Sequence, residues 1–277
     1  MNEPAGKGKT RPTRRGFLKG TLALSGLLGF PAGAYAWRSN RLCVVYERAS
    51  LWNLPTPLRI GIVTDLHAPY YTFETAELID AINEAGCDFL CILGDMADTP
   101  HREALIGEIC RGMRARGGKF AILGNWEYWG GLDRDRLAEA YGAAGVELLV
   151  NGRRTCKIAG RSIRIVGLDD LLGGRPDYAL LEEKPGTPTI VLSHCPATAH
   201  EIARRRGSAT LILSGHTHGG QITPFGVVLR LPPGSAGFVR GWYPLGTSRL
   251  YVSPGLGNSI LPFRLGQPPT LAILDIS

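Results

Sequence analysis

Asp65 and His67 in Asp-x-His, Asp95 and Asp98 in Gly-Asp-x-x-Asp, Asn125 and Glu127 in Gly-Asn-Trp-Glu, an isolated His194, and His216 and His218 in Gly-His-Thr-His stand out by type and spacing. Four of the six histidines fall in these segments, and the other two, His101 and His200, lie at helix-like positions expected to face water. Imidazole, carboxylate and amide oxygen together suit borderline or hard divalent cations such as Mn, Fe or Zn rather than Cu(I). A structural zinc site is normally thiolate-rich and closed, whereas this set uses no cysteine. It therefore reads as an open, catalytic site for two metal ions. Single residues carry less: an aspartate after a strand commonly caps a helix, and a lone histidine is often only a hydrogen-bonded core residue. Histidines two apart on a strand would point the same way and suit chelation.

The elements that position these residues follow from apolar patterning. Apolar runs at 58–64, 89–93, 119–123, 189–192 and 209–213 read as strands, and each runs into one of the polar segments. Helical spacing marks 74–86, 102–116, 132–144 and 197–206, with a short helix over 177–183. Further strands are expected at 146–150, 154–159, 162–167, 226–231, 248–253 and 271–276. Sites of open α/β sheets lie outside the carboxyl ends of the strands, so five polar strand ends together mark one site. Alternating strands and helices followed by clustered strands predict a layered αββα sandwich with mixed sheets. Gly94, Gly124 and Gly215 are expected to let the backbone turn sharply there. No linker divides the body, so the layout is a leader over 1–36, an N-terminal extension over 37–57 and one domain over 58–277.

The five blocks in this order resemble the calcineurin-like metallophosphoesterase family over about residues 58–221. The tail, with Gly219-Gly220-Gln221-Ile222, then Tyr251 to Gly257, then Pro262-Phe263-Arg264, resembles the exported bacterial branch of that family, phosphodiesterases of the cell envelope. The resemblance implies a dinuclear phosphoester hydrolase in which a metal-bridged hydroxide attacks phosphorus. It assigns Asp65, His67 and His218 to one ion, Asn125, His194 and His216 to the other, and Asp95 to both. Asp95, Asn125 and His194 are thereby the catalytic residues, while Asp98, Trp126, Glu127 and Arg264 stand behind the ligands or against the substrate. One position departs: the family has histidine after Gly-Asn, where this chain has Trp126. Indole donates one N–H and is no acid at neutral pH. The departure favours substrates with good leaving groups. It also leaves two other readings open, a pyrophosphatase acting on a nucleotide-sugar or lipid-linked pyrophosphate, and a catalytically weak metal-binding homologue.

The first 36 residues read as an address. A basic start with Arg14-Arg15-Gly16-Phe17-Leu18-Lys19, an apolar stretch from Thr21 to Phe30 and Ala34-Tyr35-Ala36 match an export signal and resemble the twin-arginine type. This predicts the twin-arginine export machinery as a partner and the periplasm or cell envelope as the location. The signal is either cleaved or retained as an anchor. These residues hold +5 of the chain's net charge of +7, which leaves +2 on the rest. That is no nucleic-acid footprint, and Arg204-Arg205-Arg206 reads as the solvated end of a helix. The body has no charge-free apolar run of about 18 residues, which excludes a multi-span membrane protein. The six cysteines show neither CxxC nor Cys-His zinc spacing, and most read as packed free thiols. Phe225, Phe238, Trp242 and Tyr243 lie in a Gly- and Pro-rich stretch that reads as loop packing, a substrate cover or a lip in peripheral contact with a membrane.

Overall fold

The computed structural model describes Tyr35, residues 38–54, 56–158, 160–182, 186–206 and 209–277. Apart from Tyr35, the leader lies outside the described residues.

Two mixed six-stranded sheets pack face to face. The first contains β1 (Cys43–Ala49), β2 (Leu58–Val63), β3 (Phe89–Ile92), β4 (Gly118–Ala121), β5 (Val146–Leu148) and β12 (Thr270–Ile276), in the order β1-β12-β2-β3-β4-β5. The second contains β6 (Gly152–Ile158), β7 (Arg161–Gly167), β8 (Thr189–Leu192), β9 (Thr210–Ser214), β10 (Gly241–Leu245) and β11 (Ser248–Val252), in the order β10-β11-β9-β8-β7-β6. The strands that lead into the polar segments are parallel neighbours: β2, β3 and β4 in one sheet, β8 and β9 in the other. Strands buried on both faces should be continuously apolar, and Phe-Leu-Cys-Ile of β3 and Thr-Ile-Val-Leu of β8 are buried throughout.

Strand alternation sorts these side chains into layers. Phe89 and Cys91 face inward, where with Ile60 and Ile62 they meet Ile165, Ile190, Leu192 and Leu211 of the second sheet. Leu90 and Ile92 face outward onto α1 (Thr75–Ala85), α2 (Glu103–Gly112) and α4 (Arg134–Ala143), through Leu78, Ile82, Ile106, Ile109, Leu137 and Tyr141. Beyond the second sheet, Val166, Val191 and Ile212 pack on Ala199 and Ile202 of α5 (Ala199–Arg206). The expected αββα sandwich is the observed fold. Lys119 ties the first helical layer together: its ammonium donates to the carbonyls of Cys110 (2.9 Å) and Met113 (3.0 Å) at the end of α2 and of Ala144 (2.5 Å) at the end of α4. A cation there satisfies carbonyls that helix ends leave unpaired.

Some local expectations are corrected. The helix expected over 102–116 stops at Gly112, after which Met113 is extended; a side chain at Gly112 would press on Ile79. Residues 226–231 form no strand, because the run from Pro232 to Gly234 follows immediately and no sheet edge meets them. The expected helix over 177–183 is one 3-10 turn at Tyr178–Leu181. Residues 43–49 of the expected extension form β1, paired in parallel with β12 from Cys43↔Thr270 to Ala49↔Ile276. β10 was not expected, and its Pro244 is tolerated because the strand lies at the sheet edge. Of the aromatic residues in this stretch, Phe238, Trp242 and Tyr243 pack against His200, Tyr251 and each other, and Phe225 alone points outward. Arg204 and Arg205 pair with Glu201, and Arg205 also with Glu182. All six thiols are free, and Cys87, Cys91, Cys110 and Cys195 are buried.

Candidate metal centre

Every candidate ligand lies just past a strand end. Asp65 follows β2, Asp95 follows β3, Asn125 follows β4 and opens the short α3 (Asn125–Trp129), His194 follows β8, and His216 follows β9. Neither Asp65 nor Asp95 caps a helix: α1 begins after Glu74, and no helix begins at either aspartate. The loops are fastened side by side, with Asp65 N–H donating to Gly94 O (3.1 Å), His67 N–H to Asp95 O (3.0 Å) and Gly215 N–H to His194 O (3.1 Å). The Asp65 carboxylate crosses from one sheet to the other and accepts from the His216 N–H (3.0 and 3.1 Å).

Two ligand groups result, Asp65 with His67 and His218, and Asp95 with His194 and His216, all buried, with the ligating atoms of each group within 4.8 Å of one another. Each group draws on both sheets. In the first, His67 Nε2 faces His218 Nε2 at 3.1 Å, and His218 Nε2 is 3.5 Å from Asp65. In the second, His194 Nε2 is 3.1 Å from Asp95 and 3.3 Å from His216 Nδ1. Asp95 links the groups, since its Oδ2 is also 4.0 Å from His67 Nε2. His216 and His218 do not share a strand face as their spacing suggested. They lie on a turn and a 3-10 segment, and their rings serve different groups.

Outer partners decide which ring nitrogens remain bare. His194 Nδ1 lies 2.7 Å from Leu93 O and His216 Nε2 lies 2.6 Å from Pro233 O. A carbonyl only accepts, so both of those nitrogens carry the proton, and in the neutral rings His194 Nε2 and His216 Nδ1 are the inward lone pairs. His67 Nδ1 stands 3.5 Å from Asp98, leaving its Nε2 inward. Asn125 Oδ1 is buried without a hydrogen-bond partner. Inward lone pairs, carboxylates and an orphaned amide oxygen are the donor set a pair of divalent cations requires, and the residues fit that cofactor.

The charges respond to this crowding. Burial alone would push the Asp95 carboxyl up, but the adjoining His194 holds it below the usual range. Burial likewise opposes charge on His194, yet the Asp95 carboxylate lifts it well above an ordinary histidine. Burial and then the neighbouring His67 push His218 well below its usual value, and burial with His194 lowers His216. Without a cation, Asp95 and His194 therefore each favour the other's charged form.

The backbone is bent to deliver these side chains. Asp65 (φ 54), His67 (φ 49), Asp95 (φ 52), His216 (φ 72) and His218 (φ 51) all occupy the left-handed region. Such non-glycine residues cost of order 1–3 kcal/mol each and cluster at functional sites. Of the three glycines, Gly94 supplies a turn (φ 88), whereas Gly124 supplies close approach: a Cβ there would stand 2.8 Å from the His194 ring and collide with Asp95.

Glu127 and Arg264 act from behind. Glu127 accepts from the N–H groups of Asp95 (2.9 Å), Met96 (2.7 Å) and Gly124 (2.8 Å), locking two ligand loops together. Burial and the nearby Asp95 push its carboxyl up to about 7. Arg264 is fully buried and donates to Gly257 O (2.8 Å), Pro254 O (3.1 Å) and His218 O (3.2 Å), so it holds the His218 loop and is sealed from substrate. Trp126 takes the other course. Its backbone N–H donates to Asp95 Oδ1 (2.8 Å), and its ring lies edge-on to His67 and Trp129 in the wall of an open cavity of about 320 Å³. Asp95, Asn125, His216 and His218 line the same cavity.

Sequence reasoning missed a buttress behind His194. Asp170 is buried and accepts from Leu172 N–H (2.7 Å), Gly173 N–H (2.7 Å) and the Cys195 thiol (3.3 Å), and the adjacent Asp169 accepts from the Tyr128 hydroxyl. The signal was present, since Asp169-Asp170 also follows a strand, β7.

Residues 58–220 match the model of the calcineurin-like phosphoesterase family. An uncharacterized metallophosphoesterase of Bacillus subtilis (YkuE) is 34% identical over 223 residues, covering 77% of each chain. An uncharacterized metallophosphoesterase of Campylobacter jejuni is 33% identical over 238 residues, covering 81% of this chain and 60% of that protein. Among solved structures, the NAD nucleotidase NadN of Haemophilus influenzae superposes with a TM-score of 0.50 at 14% identity, over 72% of this chain and 46% of its own, which is a likeness of fold. With the ligand sets and the sandwich already in place, the matches identify the chain as a member of the calcineurin-like phosphoesterase family, a metal-dependent phosphoric ester hydrolase.

Proposed function

We propose that the chain is a phosphodiesterase with a dinuclear centre, in which Asp65, His67 and His218 hold one divalent ion, Asn125, His194 and His216 the other, and Asp95 both. The observation that carries this reading is the pairing of two buried ligand groups through Asp95 at the floor of one open cavity. Two divalent ions would supply charge neutralisation at the phosphoryl oxygens and an acidified water for in-line attack. The chain's own residues fix the geometry. Leu93 O and Pro233 O hold two rings in the ligating tautomer, Glu127 keeps the Asp95 and Asn125 loops in register, and Asp98 orients His67. Trp126 occupies the wall where an acid would serve the leaving group and has no proton to give. Substrates with good leaving groups are therefore favoured, diesters and pyrophosphates of low leaving-group pKa among them.

The leader supports export by the twin-arginine route to the periplasm or cell envelope, with residues 1–36 as the signal and the remainder as one catalytic unit. Among the described residues no helix is long and apolar enough to cross a membrane.

Metal analysis paired with hydrolysis of an activated diester tests the catalytic reading. About two ions per chain are expected, and Asp95→Asn should lose at least one ion together with a factor of about 10² or more in kcat/KM. Full activity of D95N, or a parent that binds no divalent metal, would overturn it.

A further inference from the structure

We propose that the mouth of this cavity docks onto an anionic lipid surface, so that the ester cleaved, on the hydrolase reading above, is the phosphate or pyrophosphate headgroup of an amphiphile. The two loops that flank the cavity-lining residues Gln221, Arg230 and Ile260 are the source of this inference. Phe225 is 96% exposed at φ 53, and Ile260 is 91% exposed at φ 57. Bulky and β-branched residues rarely adopt that backbone, and here it turns two apolar side chains into solvent. Strain of this kind collects at functional surfaces.

The two loops that carry them are one unit. The Gln221 amide donates to Leu261 O (2.9 Å) and Phe263 O (3.0 Å) and accepts from Ser259 N–H (3.1 Å), while Thr223 N–H donates to Leu265 O (2.7 Å). Val227, Leu229, Leu261 and Phe263 are also exposed, so the patch is continuous in sequence on both loops. Trp129, Leu231 and Ile260 carry apolar surface from the rim into the cavity. Exposed apolar patches rimmed by polar residues mark interaction surfaces.

Charge and chain path name the occupant. No Asp or Glu occurs between Glu201 and Asp275, a span that supplies both loops together with Arg230 and Arg240. Arg230 lines the cavity and Arg240 donates to Gly219 O (2.9 Å) beside it. Basic residues beside exposed apolar groups suit an anionic membrane surface. The chain also reaches the body at this patch: Tyr35 stacks on Phe225 (centroids 6.3 Å apart, planes at 16°), and the apolar stretch Thr21–Phe30 stands just upstream in sequence. A leader kept as an anchor would tether the mouth toward the bilayer.

The test uses the full-length chain and its Phe225→Ser, Val227→Ser, Leu229→Ser variant, which share the leader, so its contribution cancels. Vesicles of phosphatidylglycerol with phosphatidylethanolamine, and of phosphatidylcholine alone, are floated with each protein. The parent is expected to float with the anionic vesicles, and the variant to need about tenfold more lipid or greater. None of the three residues lines the cavity, so metal-dependent hydrolysis of bis(p-nitrophenyl) phosphate should stay within about twofold. In mixed micelles the variant should show a raised KM for a long-chain pyrophosphate amphiphile at unchanged kcat. Equal flotation of the two proteins, or no preference for anionic vesicles, overturns the proposal. So does a parent dimer that the variant lacks, which would assign the patch to a second copy. Should flotation differ while neither protein cleaves the diester, the docking surface stands and the hydrolase reading falls.

Discussion

On the mechanism proposed above, the side chain at position 126 decides what kind of ester the centre opens. Trp126 keeps the backbone hydrogen bond to Asp95 and fills the cavity wall, but contributes no acid. General acid catalysis is worth about 10²–10⁴-fold. Rates should therefore fall steeply as the leaving-group pKa rises, and Trp126→His should flatten that slope, with a gain of about tenfold or more for alkyl esters. A linear free-energy plot over graded aryl and alkyl diesters measures both slopes, and an unchanged slope in W126H would refute the assignment. The Asp95–His194 pair carries a second prediction. In the metal-free protein His194 sits well above its usual pKa, and a ligating imidazole must be neutral, so loading releases that proton. Metal affinity should accordingly rise with pH and fall as His194 regains its proton. Calorimetry in buffers of different ionisation enthalpy should read about one proton released per chain at neutral pH.

Among the elements, the loops after β3 and β4 are joined by Glu127 together with the Trp126 N–H on Asp95. The Glu127 carboxylate accepts from three buried N–H groups. Removing one partner of a buried hydrogen bond costs about 1–3 kcal/mol. Glu127→Ala should thus lower stability by about 2–4 kcal/mol and weaken metal binding, while Glu127→Gln, which keeps an acceptor oxygen, should recover part of both. Denaturant melts with metal titrations separate this from a role confined to stability, because a purely structural glutamate would leave the affinity of the folded fraction unaltered. Lys119 performs the parallel service in the helical layer, where one ammonium closes the ends of α2 and α4. Burial lowers its pKa, yet the carbonyls around it reward the charge.

At the scale of the whole molecule, the dry interior governs the thiols. Burial pushes Cys87 up to about 11 and Cys110 up to about 12, and drives Cys91 and Cys195 higher still. The thiolate is the reactive form and burial also bars the reagent, so these four should stay silent to a thiol reagent at neutral pH while Cys43 and Cys156, which are only half-buried, are reached by it. Titration before and after denaturation should count two and then six; fast reaction of all six in the native protein would show that the sandwich opens readily. The same packing lets two loop sets from different sheets bring buried ligating side chains face to face, which strengthens the charge interactions between them.

The polypeptide by itself determined the types of the candidate ligands, their order and their position at strand ends, because apolar strand runs and polar termini are local patterns that survive without tertiary contacts. The candidates Asp65, His67, Asp95, Asn125, His194, His216 and His218 were picked out this way, and the structure gathers all but Asn125 into two ligand groups; the αββα sandwich was legible too. The pairing of His218 with Asp65 and His67, and of His216 with Asp95 and His194, followed only from family likeness. Their spacing of two argued for a shared direction that the left-handed turns at both residues remove. The buttress of Asp170, the sealing of Arg264 and the outward turn of Phe225 were decided by tertiary structure alone. Each depends on which distant backbone group or surface a side chain meets once the two sheets have closed, and no spacing along one chain encodes that meeting.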